Sequence, residues 1–218
     1  MIRTLLAREL RLAARHASGT VLGLAFMALF VVLCGIALGG SRPELGPGLL
    51  WLAATLSTLL GLDRLYAPDQ RSGALAQMHL AGVSGASLAV AKTLAFALTA
   101  LFPLILIAPL LGLVLQMEPR AILGTVLSLL FGAPALAAYA SFTAALLAAQ
   151  RGVGVLGIIL TAPLLLPVLI FGVEAAEGYV FYGLGALQFR ILAGLSLLAL
   201  AVGGVGTVAA LAANRGPS

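Results

Sequence analysis

Charge is scarce in this sequence of 218 residues, since only 9% of them are Asp, Glu, Lys or Arg. A soluble domain carries roughly 25% charged residues. The shortage, together with 62% hydrophobic residues, excludes an ordinary soluble fold and indicates a membrane protein. Cys34 is the only cysteine and lies in an apolar run, which excludes a disulfide framework and a cysteine metal site. Lys92 is the only lysine and follows no phosphate-binding glycine pattern, so we expect no ATP site within this chain.

Six uncharged runs are each long enough to cross a bilayer, because about 20 helical residues at ~1.5 Å each span a ~30 Å hydrocarbon core. The sequence therefore predicts an all-α integral membrane protein with one transmembrane domain over residues 1–218. A proline in the block "FGAP" (Phe131–Pro134) is expected to kink or break the fourth span. The predicted spans are 18–40, 45–62, 93–117, 121–150, 152–173 and 191–214.

The six runs contain no Asp, Glu, Lys, Arg or His, and this absence limits the possible functions. Proton relays and ion-coupled carriers usually keep such residues at mid-membrane, so neither class is favoured. A membrane enzyme is not favoured either, because no run contains a catalytic acid, base or metal cluster. Asp63 and Asp69 lie six residues apart around Pro68, which does not fit a metal–diphosphate site, and both are interpreted as parts of a solvated loop.

The basic residues predict an orientation, because Lys and Arg concentrate in cytoplasmic loops. With the N-terminus in the cytosol, nine of them fall on the inner side and three on the outer side. Both termini are therefore predicted to be cytosolic. No basic groove with interleaved aromatic residues accompanies the net charge of +5, so nucleic acid is not an expected partner. The inner residues are Arg3, Arg8, Arg11, Arg15, Arg64, Arg71, Lys92, Arg151 and Arg215, and the outer ones are Arg42, Arg120 and Arg190.

Residues Ile2–Arg15 have the pattern of an amphipathic helix in the membrane interface, an elbow before the first span. At 100° per residue Arg8, Arg11 and Arg15 share one face, whereas Glu9 falls in the middle of the apolar face. One interpretation is that Glu9 reaches water or pairs with an arginine of its own helix. The other is that Glu9 contacts a basic residue of the transmembrane body. The candidate partners are then Arg64, Arg71 and Lys92.

The polar segment between the second and third spans, residues 63–92, is the other predicted cytosolic element. Ser72 is expected to cap a short helix from Gly73 to about Leu80, and Gly82 to end it. A second helix is expected to start around Ser84 or Ser87 and to run through Lys92. The segment is either a solvated connector resting on headgroups or a helix that fits a groove on a soluble partner. We favour the second, because a bare connector needs only a few residues.

The histidines and the aromatic residues near span ends indicate no further chemistry. His16 and His79 are far apart in sequence and are interpreted as polar surface residues of the cytosolic side. The aromatic residues are expected to anchor the protein at the outer membrane interface. They are Trp51, Tyr179, Phe181 and Tyr182.

Five blocks of the sequence, in the same order along nearly the whole chain, resemble the haem exporter protein B family, CcmB. They are "RELRLAARH" (Arg8–His16), "PGLLWLAATLSTLLGLDRLYAPDQRSGALAQM" (Pro47–Met78), "AKTLA" (Ala91–Ala95), "GAPALA" (Gly132–Ala137) and "LPVLIFG" (Leu166–Gly172). The resemblance implies six helices of the ABC-2 (type V) exporter type, with an elbow helix and a cytosolic coupling helix. Where the family tends to have acidic residues, this chain has Ser72 and Ala76. The implied ATPase-coupling residues are Asp63, Arg64, Gly73, Leu75, Gln77, Met78, His79 and Leu80.

The resemblance also implies a function, that of a non-catalytic permease subunit in the bacterial inner membrane. Family members serve system I cytochrome c maturation, in which ATP hydrolysis by a partner drives release of haem-loaded chaperone. The implied partners are a CcmA-like ATPase dimer, a CcmC-like haem-handling subunit and a CcmD-like small subunit, with a homodimer of this chain left open. Haem and ATP would then be handled by those partners, with no cofactor held by this chain. The alternative is a generic ABC-2 exporter of a lipid or another hydrophobic compound.

Overall fold

A computed structural model describes residues 2–15, 18–39, 42–148 and 153–213 of the chain. These residues form helices and short turns and contain no strand. Six helical segments are long and apolar enough to cross a membrane, which confirms the predicted all-α membrane fold. The helices are α1 (Ile2–Arg15), α2 (Ser18–Ala37), α3 (Gly46–Leu60), α4 (Ala67–Arg71), α5 (Ala74–Leu80), α6 (Gly85–Phe96), α7 (Phe102–Val114), α8 (Pro119–Leu146), α9 (Val153–Tyr182) and α10 (Leu187–Ala213).

Several helix ends differ from the predicted spans. The helix of the third span begins at Gly85, eight residues before the predicted start of the span at Thr93, and it runs through Lys92 as expected. Helix α9 continues to Tyr182, so about half of residues 174–190, which separate the predicted fifth and sixth spans, belong to α9. Helix α8 contains Pro134 without interruption, so of the two expected effects, a kink or a break, the break does not occur. The predicted ends at residues 40, 150, 152 and 214 lie outside the described residues.

Helix α8 is the central element of the bundle, and it packs mainly against α9 and α10. It also contacts α3, α6 and α7. The first span lies at the periphery, because only 11% of its most apolar window is buried within the chain, against 56% for α8. The second span is as deeply enclosed as α8. Spans two and four therefore form the centre of the protein, and span one faces outward over most of its surface.

Trp51 of α3 occupies a slot between α8 and α9. Its side chain has no exposed surface, and its indole Nε1 donates a hydrogen bond to Ser128 Oγ at 2.8 Å. Gly132 and Gly172 form the walls of the slot, since a Cβ atom added to either would overlap the indole ring. The prediction that Trp51 anchors the outer interface is wrong, because these glycines create room for the ring inside the bundle.

The third span is interrupted by a π-helical turn, Ala97–Leu101, between α6 and α7. Pro103 has no N–H to donate to the carbonyl of Thr99 four residues earlier. That carbonyl accepts the hydroxyl of Thr20 from α2 at 2.8 Å. A hydroxyl from a neighbouring helix is a usual way to satisfy a carbonyl exposed by proline in a transmembrane helix. The contact fixes the start of α2 against the third span.

Candidate functional site

The segment between α3 and α6, which we call the connector (residues 62–84), contains two short helices, α4 and α5. The predicted short helix is present as α5, but Ser72 does not cap it. Ser72 instead lies at the C-terminal end of α4, and Gly73 precedes α5 with φ +73°. This left-handed conformation is accessible to glycine at little cost, which explains why the two helices are separated at this residue.

The C-terminal end of α5 and the start of α6 follow the predicted pattern. Gly82 has φ +78°, and its N–H donates to the carbonyl of His79. The next N–H, of Val83, donates to the carbonyl of Met78, which completes a Schellman motif. Ser84 then caps α6, because its Oγ accepts the N–H of Ser87 at 3.2 Å. The turn between the two helices is thus fixed by local sequence.

Four charged side chains join the elbow, the connector and the third span, and we call them the charged cluster: Arg8, Glu9, Asp69 and Lys92. Lys92 Nζ lies 2.6 Å from Asp69 Oδ2 and 3.1 Å from Glu9 Oε2. Arg8 Nη2 lies 2.9 Å from Asp69 Oδ1, and Arg8 also pairs with Glu9. Two cations and two carboxylates therefore alternate in one compact group.

Lys92 is the centre of the charged cluster. Its side chain is only 3% exposed, and its ammonium group also donates to the carbonyl of Leu65 at 2.8 Å. The three N–H donors of a lysine are thus matched by three oxygen acceptors. Removing one partner of a buried ion pair costs about 3–5 kcal/mol, because a buried charge is left uncompensated. Lys92 therefore holds α1, the connector and α6 together.

Glu9 was predicted to lie on the apolar face of the elbow, and the structure shows which groups it contacts there. The hypothesis of a contact with the transmembrane body is confirmed, with Lys92 as the partner. The pairing with an arginine of its own helix is present as well, through Arg8. The hydrogen bond from Arg8 to Asp69 raises the pKa of the guanidinium, so Arg8 stays charged. Arg8 thus faces the connector, whereas Arg11 is exposed and the side chain of Arg15 lies outside the described residues.

Asp69 was predicted to lie in a solvated loop, and that prediction is wrong. Its residue surface is only 8% exposed, because the N-terminal turn of α4 turns the carboxylate towards Arg8 and Lys92. The other carboxylate of the pair, Asp63, is exposed as expected. One feature of the sequence did indicate such a pairing. Lys92 is the only lysine and lies at the start of an apolar run, and a lysine can be buried there only if a carboxylate pairs with it. Spacing within the segment did not identify which carboxylate it would be.

Tyr66 extends the site into the bundle and was not singled out from the sequence. It has no exposed surface, and its hydroxyl shares a hydrogen bond of 2.9 Å with Ser141 Oγ of α8. Lys92 Nζ lies 5.3 Å from the centre of the tyrosine ring, within the range of a cation–π interaction. The connector is therefore attached both to the elbow and to the central helix.

The outward side of the connector differs from the expected coupling surface. Leu75 is only 5% exposed, because it packs into the core of this chain, and it is not available as an anchor for a partner. Met78 and His79 are partly buried. Gln77 is exposed, and Leu80 is 90% exposed, an unusually open position for leucine outside a span. Arg64 is also exposed. As for metal binding, the described part of the chain contains no group of residues suited to a metal ion.

The bundle and the charged cluster together define a multi-pass helical membrane protein whose connector is attached to an elbow helix. The model of the CcmB protein family matches residues 1–214. The chain belongs to the CcmB family, as the five sequence blocks indicated.

Relatives of similar length support the same family. A heme exporter protein B from Bradyrhizobium diazoefficiens is 37% identical over 215 residues, which cover 96% of both chains. The heme exporter protein B of Paracoccus denitrificans is 37% identical over 98% of this chain and 99% of its own. The protein of that name from Escherichia coli K12 is 30% identical over 87% of this chain and 90% of its own. The similarity thus extends over all six spans and the connector.

Proposed function

We infer that this chain is the membrane subunit of an ABC-type complex that delivers haem for cytochrome c maturation. The transport of haem rests on the family and on relatives named heme exporter protein B. The inferred role is non-catalytic, with ATP hydrolysis in a partner subunit and release of haem-loaded chaperone as the output. One observation carries the part of this proposal that concerns coupling to the ATPase. One side of the connector is buried and ion-paired to the bundle, and the opposite side is exposed.

The connector is suited to transmit a movement into the bundle. A partner would contact the exposed Gln77 and Leu80 on α5, while Leu75 attaches the same helix to the core. A displacement of α5 acts on the adjoining α4. From there it reaches α1 and α6 through Asp69, and α8 through the hydrogen bond of Tyr66. Rigid elements joined by such contacts are required if closure of an ATPase dimer is to rearrange the helices.

The proposed complex has the chain in a bacterial inner membrane, with both termini and the connector in the cytosol. A dimeric CcmA-like ATPase is the proposed partner at α5. The haem-handling CcmC-like subunit and the small CcmD-like subunit are proposed as further members. Nine basic residues on the side of the connector support this orientation.

A substitution at Leu80 tests the coupling surface. Leu80→Asp places a charge on a solvent-exposed position, so the fold is expected to persist while co-purification of the ATPase subunit is lost. Leu184→Asp is the matched control, because Leu184 is 55% exposed in the turn between α9 and α10, far from the connector in sequence. Leu75→Asp would instead lower the yield of folded protein.

Two results would contradict the proposal. Unchanged recovery of the ATPase with Leu80→Asp, under conditions in which both variants insert normally, would exclude α5 as the contact. Deletion of the chain without loss of holo-cytochrome c would exclude the haem pathway. A simultaneous change in export of a lipid or drug would favour the generic exporter instead.

A further inference from the structure

A cavity of about 700 Å³ lies between the elbow and the transmembrane body. Its walls come from α1, the start of α2, the end of α3, the connector and the third span. The volume is in the range of small-molecule sites, about 300–1,000 Å³. The hydrogen bond from the Thr20 hydroxyl to the Thr99 carbonyl lies in this region and holds α2 against the third span. The cavity thus lies between elements that are joined on one side by this hydrogen bond and on the other by the charged cluster.

One end of the cavity is cationic. Arg8, Arg64 and Lys92 line it, together with the two carboxylates of the charged cluster. Both carboxylates are paired with Arg8 and Lys92. Arg64 makes no ion pair with any described residue, so one positive charge at this end is not compensated.

Glycine at position 19 makes room for the Arg64 side chain. A Cβ atom on Gly19 would overlap the guanidinium group, which lies directly over the first turn of α2. The N–H groups of a first helical turn have no intrahelical partners and carry a partial positive charge. A cation held at such a place favours an anion beside it. The guanidinium fork matches the geometry of a phosphate.

The other end of the cavity is apolar. Leu22, Leu60, Phe96 and Leu104 line it, and Gly23 leaves open space on the wall formed by α2. From Lys92 to Leu104 the third span rises about 18 Å, at roughly 1.5 Å per residue. Half of a ~30 Å hydrocarbon core is about 15 Å, so the apolar end extends to the depth of one leaflet.

We propose that this cavity is a binding site for a single phospholipid with an anionic headgroup. Its phosphate pairs with Arg64, and an acyl chain lies along Phe96 and Leu104. The uncompensated charge at the mouth and the apolar wall at leaflet depth together match this one amphipathic ligand. The proposal does not depend on haem delivery or on an ATPase partner.

The lining residues distinguish a phospholipid from haem, the other amphipathic anion relevant to this family. Protein ligands of haem iron are His, Cys, Met or Tyr. The described residues that line the cavity include none of these types. The ammonium group of Lys92 is already matched by three acceptors. The cavity thus offers contacts to a phosphate and an acyl chain but no axial ligand.

Native mass spectrometry of the full chain, purified in detergent and titrated with phosphatidylglycerol, tests the proposal. We expect one retained phosphatidylglycerol and weaker retention of phosphatidylcholine. Arg64→Gln should weaken the retention about tenfold, because a hydrogen bond to a charged group is lost. Arg71→Gln is the matched control, since Arg71 is an exposed arginine of α4 that does not line the cavity.

A second pair of variants keeps the test independent of Arg64. Gly23→Leu fills the apolar wall where no atom lies within 4 Å of the new Cβ, and it should abolish retention without unfolding the protein. Gly194→Leu, at an equally open position on α10, should leave retention unchanged.

Three outcomes would overturn the proposal. In the first, retention is unaffected by both Arg64→Gln and Gly23→Leu. In the second, inorganic phosphate at the same concentration displaces the lipid, which identifies an anion site without an acyl chain. In the third, the purified chain has a Soret band that both variants lose, which identifies haem as the occupant.

Discussion

Two places in the bundle hold helices together by opposite means. In the tryptophan slot, Trp51 fits between Gly132 and Gly172 with a single hydrogen bond and no charge. In the charged cluster, four ionised side chains satisfy one another at the junction of elbow, connector and third span. The slot joins α3 to α8 and α9, whereas the charged cluster joins α1, α4 and α6.

The two sites differ in what stabilises them. The slot depends on shape, so any added atom there is penalised, and the packing has one arrangement. The charged cluster depends on the pairing of charges. Leaving one charged group without its partners lowers the stability of the protein strongly, whereas replacing the whole set by uncharged side chains lowers it little. The proposed transmission of movement from the connector into the bundle would use both kinds of contact.

The largest effect is expected from Lys92→Met. Glu9 and Asp69 would then share only Arg8 as a cation in the charged cluster, and we expect a loss of about 3–5 kcal/mol. Thermal unfolding of the purified protein in micelles measures this loss. Arg71→Met is the control, because Arg71 is exposed at the end of α4.

The double variant Lys92→Met with Asp69→Asn sharpens this test. It removes one charge of each sign, so its loss should be smaller than the sum of the two single losses. Strict additivity would mean that Lys92 and Asp69 do not stabilise each other, contrary to their 2.6 Å separation.

A smaller effect is expected from Gly172→Ala. The added methyl group overlaps the indole of Trp51, and overpacking of this kind costs about 1–3 kcal/mol. Trp51 is the only tryptophan, so the wavelength of its fluorescence reports the slot directly and should shift. Gly194→Ala, with open space at its Cβ, should be neutral or slightly stabilising because alanine favours helix. Equal behaviour of the two variants would show that the slot tolerates an extra atom.

The smallest effect is expected from Tyr66→Phe. The change removes the hydrogen bond to Ser141 and leaves the ring in place, at a cost of about 1 kcal/mol. Tyr182→Phe serves as the control, because Tyr182 is 75% exposed. A lower unfolding midpoint for Tyr66→Phe alone would support the attachment of the connector to α8, and no difference would contradict it.

Local signals were enough to predict the elements, because helix formation and capping depend on neighbouring residues. The elbow occupies its predicted bounds, and Gly82 and Ser84 end and begin helices as expected. The predicted environments of Trp51 and Asp69 were wrong, and the partner contact that the resemblance implied for Leu75 does not fit its burial. Each of these side chains is buried by residues far away in sequence, and no local pattern shows which distant residues will surround it.

The fold class and the six apolar helices were therefore determined by the sequence itself, because the free energy of placing a segment in lipid depends on its own composition. The tertiary structure alone decided which polar groups meet. Burial of the single lysine requires carboxylates from two other segments, and only the packing of α1 and α4 against α6 supplies Glu9 and Asp69. The cost of an unpaired buried charge makes that arrangement specific, and no local pattern encodes it.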